Sequence, residues 1–170
     1  MKIIVLSALI LLCFALPLHA LVQPPASVPE ISLPDTDNNQ HSLPEVIKGK
    51  VAMVVYWSLT CPHCQQMMPH FLFLNKRLTG NNFIMVFINS DGMSMAEAVA
   101  NFAAAQKMPG PWLVDEGPDD SMPLAQALDI VATPGAFLYD TAGNLVLSQE
   151  TYQENQVDID LFMENIQKSF

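Results

Sequence analysis

The chain has 170 residues, with 17 acidic side chains against 7 basic ones and a formal net charge of −10. That balance argues against a protein that binds nucleic acid through its phosphates, which requires clustered Lys and Arg. Half of the residues are hydrophobic (51%), enough to build a core, and the length suits one domain.

The N-terminus has the layout of a secretory signal peptide: Lys2, an apolar run from Ile3 to Leu16, Pro17, then Leu18-His19-Ala20. The run is shorter than the roughly 20 residues that span a bilayer, which favours cleavage after about Ala20. Leu18 is larger than the small residue preferred at such a site, so an uncleaved anchor formed by residues 3–18 stays open. Cys13 follows Leu11-Leu12 rather than a small residue and reads as part of the signal helix, not as a lipid-attachment site. The organisation expected is a signal peptide over 1–20, a proline-rich linker over 21–30 and one folded domain over 31–170. The expected location is the periplasm or another exported bacterial compartment. Loss of Lys2 with the leader leaves six basic against 17 acidic residues, a net charge of −11, read as a solvated acidic surface. The ten methionines read mainly as core filling.

In chain order, Asp35-Thr36-Asp37-Asn38-Asn39, flanked by Ile31-Ser32-Leu33 and His41-Ser42-Leu43, suggests a small hairpin, with His41 as a loop residue. Val51 to Trp57 is an apolar run without alternation, as in a strand covered on both faces. A helix is expected from about Cys61 to Leu78, with Pro69 as a kink and Gly80 as a stop signal. Phe83 to Ile88 reads as a second buried strand and Ala96 to Lys107 as an alanine-rich helix. Prolines bracket a short strand at Trp112 to Val114 and a short helix around Leu124 to Leu128. Ala136 to Tyr139 and Leu145 to Leu147 form a hairpin around Asp140-Thr141-Ala142-Gly143-Asn144. A last helix spans Val157 to Lys168, with Ile159, Phe162, Met163 and Ile166 on one face. Strands alternating with helices predict an α/β domain with a parallel core.

Beyond the leader, two cysteines remain, spaced C-x-x-C as Cys61-Pro62-His63-Cys64. A disulfide across so small a ring removes little entropy from the unfolded chain, so its purpose is redox chemistry in a compartment where thiols are oxidised. The pair follows a buried strand and opens a helix, where N–H groups and the positive dipole end stabilise a thiolate on Cys61. Cys64, one turn further in, is placed to attack a mixed disulfide formed on Cys61. Cys61 is therefore the candidate nucleophile and Cys64 the resolving thiol. Pro62 fixes the first turn and His63, when protonated, adds positive charge, so the two tune the site. A metal site would need further ligands, and His41 and His70 lack ligand spacing, so no metal is expected. Trp57 is a candidate substrate contact beside the active-site loop, with a packed aromatic as the alternative. Asp91 and Asp115 read as turn or loop residues rather than catalytic acids.

The segment from Tyr56 to Cys64, together with Pro69, resembles the active-site block and helix kink of the thioredoxin superfamily, specifically its TlpA-like bacterial branch. The resemblance spans about Ile31 to Phe170. It implies a thioredoxin-like fold, a central mixed sheet flanked by helices, with a helix–strand insertion over Asn89 to Ala132. Val131-Ala132-Thr133-Pro134 resembles that family's cis-proline loop, which implies that Thr133 offers backbone hydrogen bonds to substrate and that Pro134 holds them beside Cys61. The Pro62-His63 dipeptide is similar to that of DsbA-type disulfide oxidases, although their large helical insertion is missing. Two acids of related proteins are missing too: Val55 stands where thioredoxin has a buried acid, and Met67 where some TlpA-like reductases have a glutamate. Proton transfer at Cys64 must then use water, His63 or another group, which weakens the case for an efficient reductase.

The function expected is thiol–disulfide exchange with exported proteins, without an organic cofactor, and with a membrane redox partner that recycles the pair. Two alternatives are a dedicated reductase serving cytochrome maturation or copper-site assembly, and a non-enzymatic copper-handling module.

Overall fold

All seven residues from Val51 to Trp57 are buried, and the rest of the molecule is arranged around this strand. The computed structural model describes residues 27–150 and 157–169. The expected leader and residues 21–26 of the linker lie outside that range. In chain order the elements are β1 (Ser32–Pro34), β2 (Gln40–Ser42), α1 (Leu43–Ile47), β3 (Val51–Trp57), α2 (Pro62–Leu78) and β4 (Phe83–Asn89). They continue with a 3₁₀ turn (Met93–Met95), α3 (Ala96–Gln106), β5 (Trp112–Val114), a second 3₁₀ turn (Pro118–Asp120) and α4 (Pro123–Leu128). The last are β6 (Gly135–Tyr139), β7 (Leu145–Glu150) and α5 (Ile159–Lys168).

The main sheet has the order β5-β4-β3-β6-β7. The β3, β4 and β5 strands are parallel, and β6 and β7 run antiparallel to their neighbours. It is the mixed sheet that the resemblance implies. Side chains alternate across β3. Val51, Met53, Val55 and Trp57 pack with α2, α3 and α5, while Ala52, Val54 and Tyr56 pack with β1, α1 and α4. Covering both faces is what removes the polar alternation from the sequence of β3.

Several local expectations are corrected. Leu43 opens α1 instead of ending a strand, with Pro44 in its first turn, a place where a missing N–H costs nothing. His41 lies on β2 rather than in a loop, with its ring 2.8 Å from the Asp35 carboxylate. Ser27 and Val28, assigned to the linker from sequence, pair with the turn at Gly143 and Asn144, and so pack on the domain. The final strand reaches Glu150 rather than Leu147. As expected, Pro69 lies inside α2 and does not end it. Among the described residues no helix is long and apolar enough to cross a membrane.

Candidate active site

The register of β3 against β4 pairs Trp57 with Asn89, so the loops leaving these two strands emerge side by side. The first of them carries Ser58, Leu59 and Thr60 into Cys61, which is the N-cap of α2. Its backbone is extended (φ −87°, ψ 111°) and its sulfur accepts a hydrogen bond from the backbone N–H of Cys64 at 3.1 Å. A serine or aspartate oxygen would ordinarily occupy this place. Pro62 fills the first helical position, where its missing N–H would have no partner in any case. A sulfur here receives the Cys64 N–H and lies at the positive end of the helix dipole.

The two thiols differ in exposure. Cys61 is half-buried and Cys64 is 1% exposed, and both are free. Burial, assisted by the hydrogen bond with Cys61, pushes the Cys64 thiol up to about 12, because desolvation penalises the charged form. Val55 and Met67 belong to the apolar cluster that contains Cys64.

Across from the pair lies the loop before β6. The Thr133–Pro134 bond is cis, and the Cys61 thiol donates to the Thr133 carbonyl at 3.3 Å. The structure thus brings Cys61, Cys64, Thr133 and Pro134 together, with His63 exposed on the first turn of α2. Trp57 is not part of this surface. It is 2% exposed and stacks on Phe102 with ring centroids 5.3 Å apart, so the packed reading replaces the substrate contact. The other histidine of α2, His70, is exposed, as expected.

Two aspartates have partners that their sequence neighbourhood did not disclose. Asp91 accepts from the Ser58 hydroxyl at 2.6 Å, the Leu59 N–H at 2.7 Å and the Asn89 side-chain amide at 2.8 Å. It is no simple turn residue: it ties the loop before Cys61 to the end of β4. Gly92, next to it, has φ +80°, a backbone conformation that L side chains rarely adopt and that favours glycine. Asp115 is 1% exposed and accepts from the N–H groups of Leu124 and Ala125 and from the Tyr56 hydroxyl. Burial raises its pKa against these hydrogen bonds. Its place at the end of β5 was the available signal.

With this geometry in hand, comparison with known proteins gives a consistent picture. The AhpC/TSA family model matches residues 25–148. No curated protein sequence matches the chain. Among solved structures, a thioredoxin-family thiol:disulfide interchange protein from Chlorobium tepidum TLS superposes with a TM-score of 0.66 at 20% identity, over 85% of this chain and 96% of that one. The thioredoxin domain of a thiol-disulfide oxidoreductase from Bacteroides vulgatus gives a TM-score of 0.69 at 20% identity, over 89% of this chain and 100% of that one. A thiol:disulfide interchange protein described as DsbE, also from Chlorobium tepidum, gives 0.65 at 20% identity, over 84% and 94%. At these identities the likeness shows the fold.

Proposed function

Because the chain belongs to the AhpC/TSA family and carries a C-x-x-C pair on a thioredoxin-like fold, we propose that it is an exported thiol–disulfide oxidoreductase with Cys61 as nucleophile and Cys64 as resolving thiol. One observation carries this reading. The Cys61 sulfur sits at the N-cap of α2, 3.1 Å from the Cys64 amide, with the Cys64 thiol buried behind it. Only one of the two sulfurs faces a partner protein.

In the reducing direction, the Cys61 thiolate attacks one sulfur of a substrate disulfide, and the other substrate sulfur leaves as a thiolate that takes up a proton. Cys64 then loses its proton, attacks the Cys61 sulfur and releases the substrate's second thiolate. Two electrons pass from the dithiol to the substrate, and Cys61–Cys64 becomes a disulfide. The oxidising direction is the reverse. Val55 and Met67 supply no acid, so the proton of Cys64 passes to water or to His63. Thr133 presents its backbone to the incoming peptide and Pro134 holds that segment beside Cys61. The signal-like N-terminus supports export. Exported protein thiols or disulfides are the substrates and a membrane redox protein recycles the pair, with no organic cofactor required.

The test is substrate trapping. Cys64→Ser should accumulate a mixed disulfide through Cys61 with oxidised model proteins, whose disulfide Cys61 attacks, and Cys61→Ser should lose insulin reduction and disulfide formation alike. Activity retained in Cys61→Ser would overturn the reading. Equilibration with glutathione fixes the direction: near −120 mV for an oxidase, near −270 mV for a reductase.

A further inference from the structure

Glu150, the last residue of β7, is one of few buried charged side chains among the described residues, 7% exposed. In the β6–β7 ladder it pairs with Gly135, so no facing side chain obstructs its stem. Its Oε2 accepts two hydrogen bonds from consecutive backbone amides, Val131 N–H at 2.9 Å and Ala132 N–H at 3.0 Å. These are the two residues that precede Thr133, whose carbonyl lies 3.3 Å from the Cys61 sulfur. The run therefore reads, in space, from a carboxylate on β7 through two amides to the backbone facing the nucleophile.

A surface loop is ordinarily fixed by its own turn chemistry. Here Val131 is 66% exposed, so side-chain packing at that residue holds little, and the anchor is instead one buried oxygen collecting two N–H donors. Charge-assisted bonds of this kind are shorter and roughly twice as strong as neutral ones. An orphaned amide pair would otherwise turn to solvent, carrying the loop with it.

We propose that Glu150 is the positioning residue of the substrate-recognition loop: its carboxylate grips the Val131 and Ala132 amides and thereby fixes the Thr133 backbone against Cys61, so that an extended segment of a protein substrate meets a preformed edge. The inference rests on the thiol–disulfide exchange reading and specifies how that site takes polypeptide rather than small thiols. Glu150 does not touch the reacting sulfurs. Its effect is on binding a peptide, not on the reactivity of Cys61 towards a small reagent.

The experiment compares wild type, Glu150→Gln and Glu150→Ala in the full chain, with insulin as protein disulfide and 5,5′-dithiobis(2-nitrobenzoate) as small disulfide. For insulin, KM should rise about tenfold in the alanine variant, with kcat within about twofold, and the glutamine variant should fall between because its amide oxygen still accepts from both N–H groups. Rates with the small disulfide should stay within about twofold throughout. Amide hydrogen exchange at Val131 and Ala132 should quicken by about tenfold or more in Glu150→Gln, a readout that stands even where the alanine variant does not fold. An unchanged insulin KM in a folded Glu150→Ala, equal losses on both substrates, or unchanged exchange at the two amides would overturn the role of Glu150. Absence of insulin exchange by the wild type would instead remove the functional reading itself, leaving the amide result to report on the loop alone.

Discussion

The Asp91 carboxylate takes the Ser58 hydroxyl at 2.6 Å and the Leu59 N–H at 2.7 Å, joining two segments separated by more than thirty residues and fixing the approach of the chain to Cys61. The same carboxylate holds the Asn89 side-chain amide at the buried end of β4.

From this follows a stability effect. Asp91→Ala removes a charged acceptor from three donors and should lower the unfolding free energy by about 2–3 kcal/mol, with Asp91→Asn losing less. Urea unfolding measures it. Iodoacetamide labelling of Cys61 should slow in the same variants as its loop loosens. A midpoint unchanged in Asp91→Ala would show that Ser58 and Leu59 are held by something else.

The thiols should separate chemically. With limiting iodoacetamide at neutral pH, the reduced protein should carry label on Cys61 at least about tenfold over Cys64, read by peptide mass, because Cys64 is buried and pushed up to about 12. The linkage has a definite sign. The native state holds the Cys64 proton above its ordinary value of 9.0, so this group makes the reduced protein lose stability as pH rises from about 9 to about 12. Cys64→Ala should show a shallower decline over that window.

The buried Asp115 gives a second pH signature. Its folded pKa is raised from 3.8, by burial first of all, so the native state binds a proton more readily than the unfolded chain between that value and the raised one. Stability contributed by this group is present at lower pH and falls as pH rises through the window. Asp115→Asn should flatten that slope, and Tyr56→Phe should cost about 1 kcal/mol for the hydroxyl bond it removes. Differential scanning calorimetry across pH 3 to 7 is the measurement.

Asp35 should behave in the opposite sense. Burial raises its carboxyl, but bonds from His41, from the side chain and N–H of Asn39 and from the Asp37 N–H outweigh it and hold the group at about 2. Its contribution is fully present above the ordinary value of 3.8 and is lost as pH falls towards about 2. Asp35→Ala should lower stability by about 1 kcal/mol at neutral pH and remove this acid-side loss. A variant with the wild-type acid transition would rule out the turn as its source.

Much of the architecture was legible because apolar runs declare buried strands. The β3 and β5 strands begin and end at the residues the sequence predicts, and α2, α3 and α4 differ from expectation by a residue at an end. The C-x-x-C pair was legible from spacing alone. What escaped notice depends on register. Asp91 reaches Ser58 because Trp57 pairs with Asn89, and Glu150 reaches the loop before Pro134 because it pairs with Gly135. No local pattern encodes either distance. Trp57 was ambiguous since a strand end does not reveal which face its side chain takes; the alternation along β3 sends it inward with Val55 and Met53. The α1 helix was missed because five residues carry too little periodicity to register.

A protein that caps a helix with a redox-capable sulfur ties local order to electron count. While Cys61 is reduced, its sulfur accepts the Cys64 N–H and closes the first turn of α2; once that sulfur is bonded to Cys64, the free acceptor is gone. A cap is worth about 1 kcal/mol, and since 30 mV corresponds to about 1.4 kcal/mol, the difference shifts the couple by roughly 20 mV towards the dithiol. Unwinding at the start of α2 and readiness to accept electrons are in this sense one property, measurable in either currency.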